Sequence, residues 1–160
     1  MRGRTSISRR EVLALFVQTI NAAPDYRPQF FSPDDFAALE AFTEILIPTD
    51  DTPGAREAKC AQFIDFLVHS SPAETQKRWR DALRAVRRAG FHKAGADGRA
   101  KIVAAMSKQH AAHDAYQLIR QENMFAFFTS RAGTRDFLDY RGNTHNESFP
   151  ACTHPEHQRV

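Results

Sequence analysis

Cysteine is scarce in this chain of 160 residues: Cys60 and Cys152 are the only two. A disulfide framework and a four-thiolate zinc site are thereby excluded, and any role for the pair is individual or as one couple. Long apolar runs are missing too, since none approaches the roughly 20 residues that a bilayer-spanning helix needs. There is no strand-like alternation of useful length, no internal repeat and no low-complexity segment. The signatures of common enzymes are also absent: no G-x-G-x-x-G after a strand, no phosphate loop, no G-x-S-x-G and no H-E-x-x-H. No catalytic residue and no cofactor-binding residue can be nominated on motifs. Nor does one sign of charge prevail, with 22 Lys and Arg against 19 Asp and Glu for a net of +3. That near balance argues against a nucleic-acid-binding protein, in which basic residues concentrate in one patch.

What is present is apolar mass and helix punctuation. Hydrophobic residues make up 42% of the chain, 13 of them Phe, enough for the core of one domain. In FFSPDDFAALEAFTEILIP, Ser32 is a helix N-cap, Pro33 suits the first helical position, and Asp34 and Asp35 favour the positive end of the dipole. Phe31 and Phe36 are spaced as a hydrophobic staple. Phe36, Leu39, Phe42 and Leu46 follow at helical spacing until Pro48 stops the helix. After PTDDTPGA a second helix places Cys60, Phe63, Ile64 and Leu67 on one face, so Cys60 reads as a small buried hydrophobe.

The stretch SPAETQKRWRDALRAVRRAG predicts a third helix with Ser71 as cap, Glu74 completing a capping box, Trp79, Leu83 and Val86 inward, and Gly90 as its end. Arg80, Arg84, Arg87 and Arg88 give it a basic outer side, suited to a nucleic acid or an acidic protein, with a solvated face as the plainer reading. Asp97 or Gly98 opens a fourth helix through Ile102, Val103 and Met106. A long fifth runs from about Asp114 to Ser130 with Leu118, Phe125 and Phe128 inward. The fold class expected is all-α: a single-domain bundle of five or six helices with an extended C-terminal tail. The divisions are residues 1–29 as export segment and linker, 30–139 as helical domain and 140–160 as tail.

The N-terminus carries Arg2, Arg4, Arg9 and Arg10 ahead of a short apolar run and then Ala22 and Ala23. Basic, apolar, small is the order of an export signal, and the segment around Arg9 and Arg10 resembles a twin-arginine motif. The competing reading is an amphipathic helix capped by Ser8, with Val12, Leu13, Phe16 and Ile20 on one face.

Two places suggest metal. His110 and His113 stand three apart on a helix beside Asp114, without a third ligand at fixed spacing. In SFPACTHPEHQRV, Cys152, His154 and His157, with His145 upstream, offer a zinc-like set. Pro155 between the histidines and the missing second Cys pair set it apart from common structural sites. From Tyr140 onward the chain has no helical period, with Gly142, Pro150 and Pro155 along it and Phe149 as its one large apolar anchor.

FFSPDDFAALEAFTEILIPTDDTPGAREAKCAQFIDFLV resembles the opening of the gluconate 2-dehydrogenase subunit 3 family, with its F-x-x-x-E-x-x-x-x-x-I-I-P-x-D-x-x-P-G-A-x-x-A pattern. FFTSRAGTRDFLDYRGNTHNESFPACTHPEHQ is similar to that family's ending, a Y-x-G-N segment before F-P-G-C-T-H-P-E-H. Ala151 stands where the family has Gly, and Cys60 where an aliphatic residue or Gly is usual. The resemblance implies a small subunit with no catalytic centre and no cofactor of its own. Its expected partner is a large FAD-dependent dehydrogenase of sugars, sugar acids or glycosides, often accompanied by a cytochrome c subunit. The twin-arginine pattern then implies export of that flavoprotein with this chain, to the periplasm or the periplasmic face of the inner membrane. The expected docking residues are Tyr140, Gly142, Asn143, Phe149, Pro150, Cys152, His154 and His157, on a tail ordered by wrapping along its partner. The alternative is a stand-alone helical protein whose Cys/His tail binds a metal.

Overall fold

Ser32 opens the first helix as its position predicts. The computed structural model describes residues 26–108 and 110–142. In it the Ser32 hydroxyl accepts from the Asp35 backbone N–H at 3.2 Å and donates to the Asp35 carboxylate at 2.9 Å. One of the orphan N–H groups at the helix start is thereby satisfied, and Pro33, lacking an N–H, leaves none unpaired beside it. This helix, α1, spans Pro33–Leu46. It is followed by α2 (Cys60–His69), α3 (Ala73–Arg88), a single 3-10 turn (Phe91–Lys93), α4 (Ala96–Met106), α5 (His110–Thr129) and a π turn (Ala132–Phe137). The described residues are all-helical and contain no strand.

Most of the apolar surface closes into one core between α1, α3 and α5. Leu39 and Phe42 from α1, Ile64 and Val68 from α2, Trp79, Leu83 and Val86 from α3, Met106 and Ile119 are almost wholly buried there. The rings meet edge-on or tilted, Phe31 with Trp79 at 5.7 Å and Phe42 with Phe91 at 5.4 Å between centroids, as ring quadrupoles favour. A smaller cluster of Ala55, Cys60, Phe63, Ala126 and Phe127 lies under the C-terminal half of α5. Cys60 is fully buried in it, as expected of a small hydrophobe, and burial followed by the charge of Glu44 pushes its thiol up to about 12.

Two fastenings hold irregular chain against these helices. Asp65, fully buried in α2, accepts from the Tyr26 hydroxyl (2.7 Å) and from the backbone N–H groups of Gln29 (2.6 Å), Phe30 (3.1 Å) and Phe31 (2.9 Å). A buried carboxylate is tolerated because both oxygens are occupied by donors. Burial, then the hydrogen bond to Asp65, push the Tyr26 phenol well above its ordinary value. Glu44 plays the same part in the turn that follows α1, accepting from the N–H groups of Thr49 and Arg56, both at 2.9 Å. Burial opposes its ionised form, but the Thr49 and Arg56 hydrogen bonds outweigh that and hold it below the usual carboxylate range. Gly54 is required in this turn, where a Cβ would overlap the Thr49 backbone nitrogen.

The structure corrects three expectations. Ser71 does not cap α3: its hydroxyl donates backward to the Leu67 carbonyl at 2.7 Å, Pro72 is the cap residue, and no side chain caps that helix. The free carbonyls at the end of α2 won the competition for Ser71, and Gln76 Nε2 donates to two more of them, Val68 and His69. Helix α4 starts at Ala96 with Gly95 as its cap, one residue before Asp97, the earlier of the two expected starts. On α5 the inward line is Ala115, Ile119, Asn123, Ala126 and Phe127, whereas Phe125 and Phe128 face out. Gly90, with φ of +81°, does end α3 as predicted.

Candidate functional site

The C-terminal half of α5 carries MFAFF, and a helix with that many large apolar residues in succession cannot bury them all against one neighbour. Ala126 and Phe127 take the inner position in the small cluster. Met124, Phe125 and Phe128 are left outside, and the π turn and its exit add Phe137, Leu138 and Tyr140. These six are between 38% and 55% exposed, the large apolar side chains on the described surface that stay open. Scattered single apolar residues need no explanation, but six within seventeen consecutive positions mark an interaction surface.

The surface is organised by rings. Phe127 meets Phe128 edge-on at 5.2 Å and Phe137 at 5.7 Å, Phe128 meets Phe137 at 6.2 Å, and Phe125 leans on Phe63 at 5.9 Å. The π turn is pressed onto α5 at Gly133, where a Cβ would overlap the Phe127 carbonyl. Ser130 pins it by donating to the Phe127 carbonyl at 2.7 Å and accepting from the Gly133 N–H at 3.0 Å. The Tyr140 N–H then reaches back to the Thr134 carbonyl at 2.8 Å, so the chain folds back onto the π turn. Rigid aromatic side chains held by packing are suited to binding another protein, since little rotamer freedom is lost on contact.

Of the predicted docking residues, Tyr140 lies on this surface, half exposed, and Gly142 stands at its edge with φ of +98° and open space where a Cβ would project. Asn143, Phe149, Pro150, Cys152, His154 and His157 lie outside the described residues, as do Arg9, Arg10 and the N-terminal helix proposed around Ser8. Met124, Phe125, Phe128, Phe137 and Leu138 were not anticipated as a site. The signal was there in the density of aromatics between 125 and 140, but periodicity assigned Phe125 and Phe128 to the core.

The structure commits His113 to a helix junction. The His113 side chain is engaged at both nitrogens, Nδ1 donating to the Ser107 carbonyl at 3.0 Å and Nε2 accepting from Gln117 at 3.1 Å, which ties the start of α5 to the end of α4. Among the described residues no three His, Cys, Asp or Glu side chains gather where they could hold a metal ion. Nor, among those residues, is any helix long and apolar enough to cross a membrane.

The family model described as gluconate 2-dehydrogenase subunit 3 matches residues 33–146, well over half of the chain. The chain belongs to that family. No curated protein and no solved structure matches it.

Proposed function

We propose that this member of the gluconate 2-dehydrogenase subunit 3 family is the non-catalytic small subunit of an FAD-dependent dehydrogenase of sugars, sugar acids or glycosides, and that its aromatic surface docks the large flavoprotein. The observation that carries the reading is the exposed sector from Met124 to Tyr140, which an isolated domain has no reason to leave open. In this reading Phe149, Pro150, Cys152, His154 and His157, which follow that sector in the sequence, extend the same interface. The flavin belongs to the partner, and the twin-arginine segment at Arg9 and Arg10 carries both chains across the inner membrane. Docking covers the rings and so stabilises the pair, because buried aromatic anchors supply most of the energy at such contacts.

Co-expression of the full chain with its large flavoprotein subunit, followed by capture on a tag, tests this. Phe125→Ser with Phe128→Ser should weaken capture roughly thirtyfold, about 2 kcal/mol. Truncation after Gly142 should weaken it further while the helical domain stays folded. Full-strength capture by both variants would sink the docking surface. A stoichiometric, tightly held metal on the intact chain would instead favour the metal-tail alternative. In the same cells Arg9→Lys with Arg10→Lys should leave both subunits in the cytoplasm, since a receptor-read arginine pair is not replaced by charge alone. Unchanged periplasmic activity would remove the export role.

A further inference from the structure

Of the helices described, α3 carries by far the largest net positive charge. Helix α3 holds six cations, Lys77, Arg78, Arg80, Arg84, Arg87 and Arg88, against two carboxylates, Glu74 and Asp81, for a net of four positive charges. The whole chain carries +3, so everything outside α3 sums to a single negative charge. All six cationic side chains are exposed. Carboxylates pair with half of them: Asp81 of α3 with Lys77 at 2.9 Å and with Arg84, and Asp35 of α1 with Arg87 at 2.7 Å. No carboxylate among the described residues pairs with Arg78, Arg80 or Arg88.

These three are positioned by the fold. Arg80 lies over the Phe30 ring at 5.3 Å from its centroid, and both line a cleft of about 250 Å³ between α1 and α3. Arg78 and Arg88, about 15 Å apart along the axis at 1.5 Å per residue, line a groove of about 530 Å³ between α3 and α5. Its floor includes Ala82, Ala85 and Leu118, and Asp114 stands in the same groove without an ion pair to either arginine.

We infer that the outer face of α3 is a second docking surface, separate from the aromatic one, and that its occupant is a protein segment rich in Asp and Glu. Five of the six cations are arginine, whose planar fork matches a carboxylate with two parallel hydrogen bonds and is less strongly hydrated than an ammonium. A polyanion of evenly spaced phosphates fits worse, because Asp81, Glu74 and Asp114 interrupt the face and only three cations are uncommitted. Discrete carboxylates can interleave with such a pattern. A subunit with two faces of different chemistry, one aromatic and one cationic, is equipped to hold two partners or two regions of one.

The test uses the full chain and a short oligoglutamate peptide, with an oligoglutamine peptide, a DNA duplex and phosphatidylserine vesicles beside it. The chain should bind oligoglutamate in preference to the other three. Arg78→Gln with Arg80→Gln and Arg88→Gln should weaken that binding about tenfold. Lys93→Gln with Lys101→Gln and Lys108→Gln, exposed cations elsewhere that remove the same charge, should change it by less than about twofold. Phe125→Ser with Phe128→Ser should leave it intact, so that failure here and failure of the aromatic surface are read separately. Equal losses in the two triple variants, loss in the phenylalanine variant, no binding of oligoglutamate, or tighter binding of the duplex or the vesicles would each overturn the assignment.

Discussion

Around Trp79 and Phe42, aromatic rings are closed over on every side by α1, α3 and α5, while around Phe127 a similar gathering of rings meets solvent. Residue type does not distinguish the two regions; cover does. The first region is complete within one chain. The second has an inner layer of Cys60, Phe63 and Phe127, then an outer layer of Phe125, Phe128 and Phe137 with nothing beyond it among the described residues. Stability should therefore depend on the first and association on the second, and each experiment below attacks that division.

The largest effect is expected from Trp79→Ala, which empties the centre of the main core. A buried indole replaced by a methyl group leaves a cavity and should cost about 3–5 kcal/mol, read as a shift in the denaturant midpoint with little change in slope. A loss under about 1 kcal/mol would mean that the ring is not the keystone its burial suggests.

The legibility of the sequence followed the same division. The start of α1 and the end of α3 were readable because their punctuation is local: Ser32, Pro33 and Gly90 act on their own neighbours and do what their types predict. Ser71 failed because two helix ends competed for one hydroxyl, which a linear pattern cannot show. Phe125 and Phe128 were misplaced for a related reason. A periodic pattern assumes that apolar means inward, and α5 carries more apolar residues than its inner face can hold. Asp65 gave no sign in the middle of an apolar helix, since its four donors come from residues 26–31, more than thirty positions earlier.

A smaller effect should appear in alkali, and it belongs to the second region. Burial, then Glu44, hold the Cys60 thiol up at about 12 against 9.0 for the free group. Folding thus favours the protonated form. That contribution is complete below 9.0 and fades as pH rises toward about 12, because the unfolded chain releases the proton first. Unfolding in urea should show roughly 1 kcal/mol less stability at about pH 10 than at about pH 8. Cys60→Ala, whatever its baseline cost, should flatten the first part of that slope, leaving the steeper alkaline part to the Tyr26 phenol, whose pKa is also raised. An identical slope in the Cys60→Ala chain would show that the thiol is not buried as firmly as its cluster implies.

The outer rings give the most informative comparison. Phe125→Ser and Phe128→Ser should each cost the free chain about 1–2 kcal/mol, well short of Trp79→Ala. Phe125 is 40% and Phe128 38% exposed, so part of the transfer gain is never collected, and a serine there is hydrated without leaving a sealed cavity behind. What each substitution removes is one flank of a ring pair, Phe125 against Phe63 and Phe128 against Phe127 and Phe137, contacts worth about 0.5–1.5 kcal/mol at most beyond area. If the free chain instead lost 3 kcal/mol or more, the outer rings would be core residues, and weakened capture of the large subunit would report only unfolding. A double variant that is fully folded without urea and unfolds in one cooperative step, yet no longer holds its partner, would place the rings where their exposure puts them, at the margin of the folding unit and inside the interface.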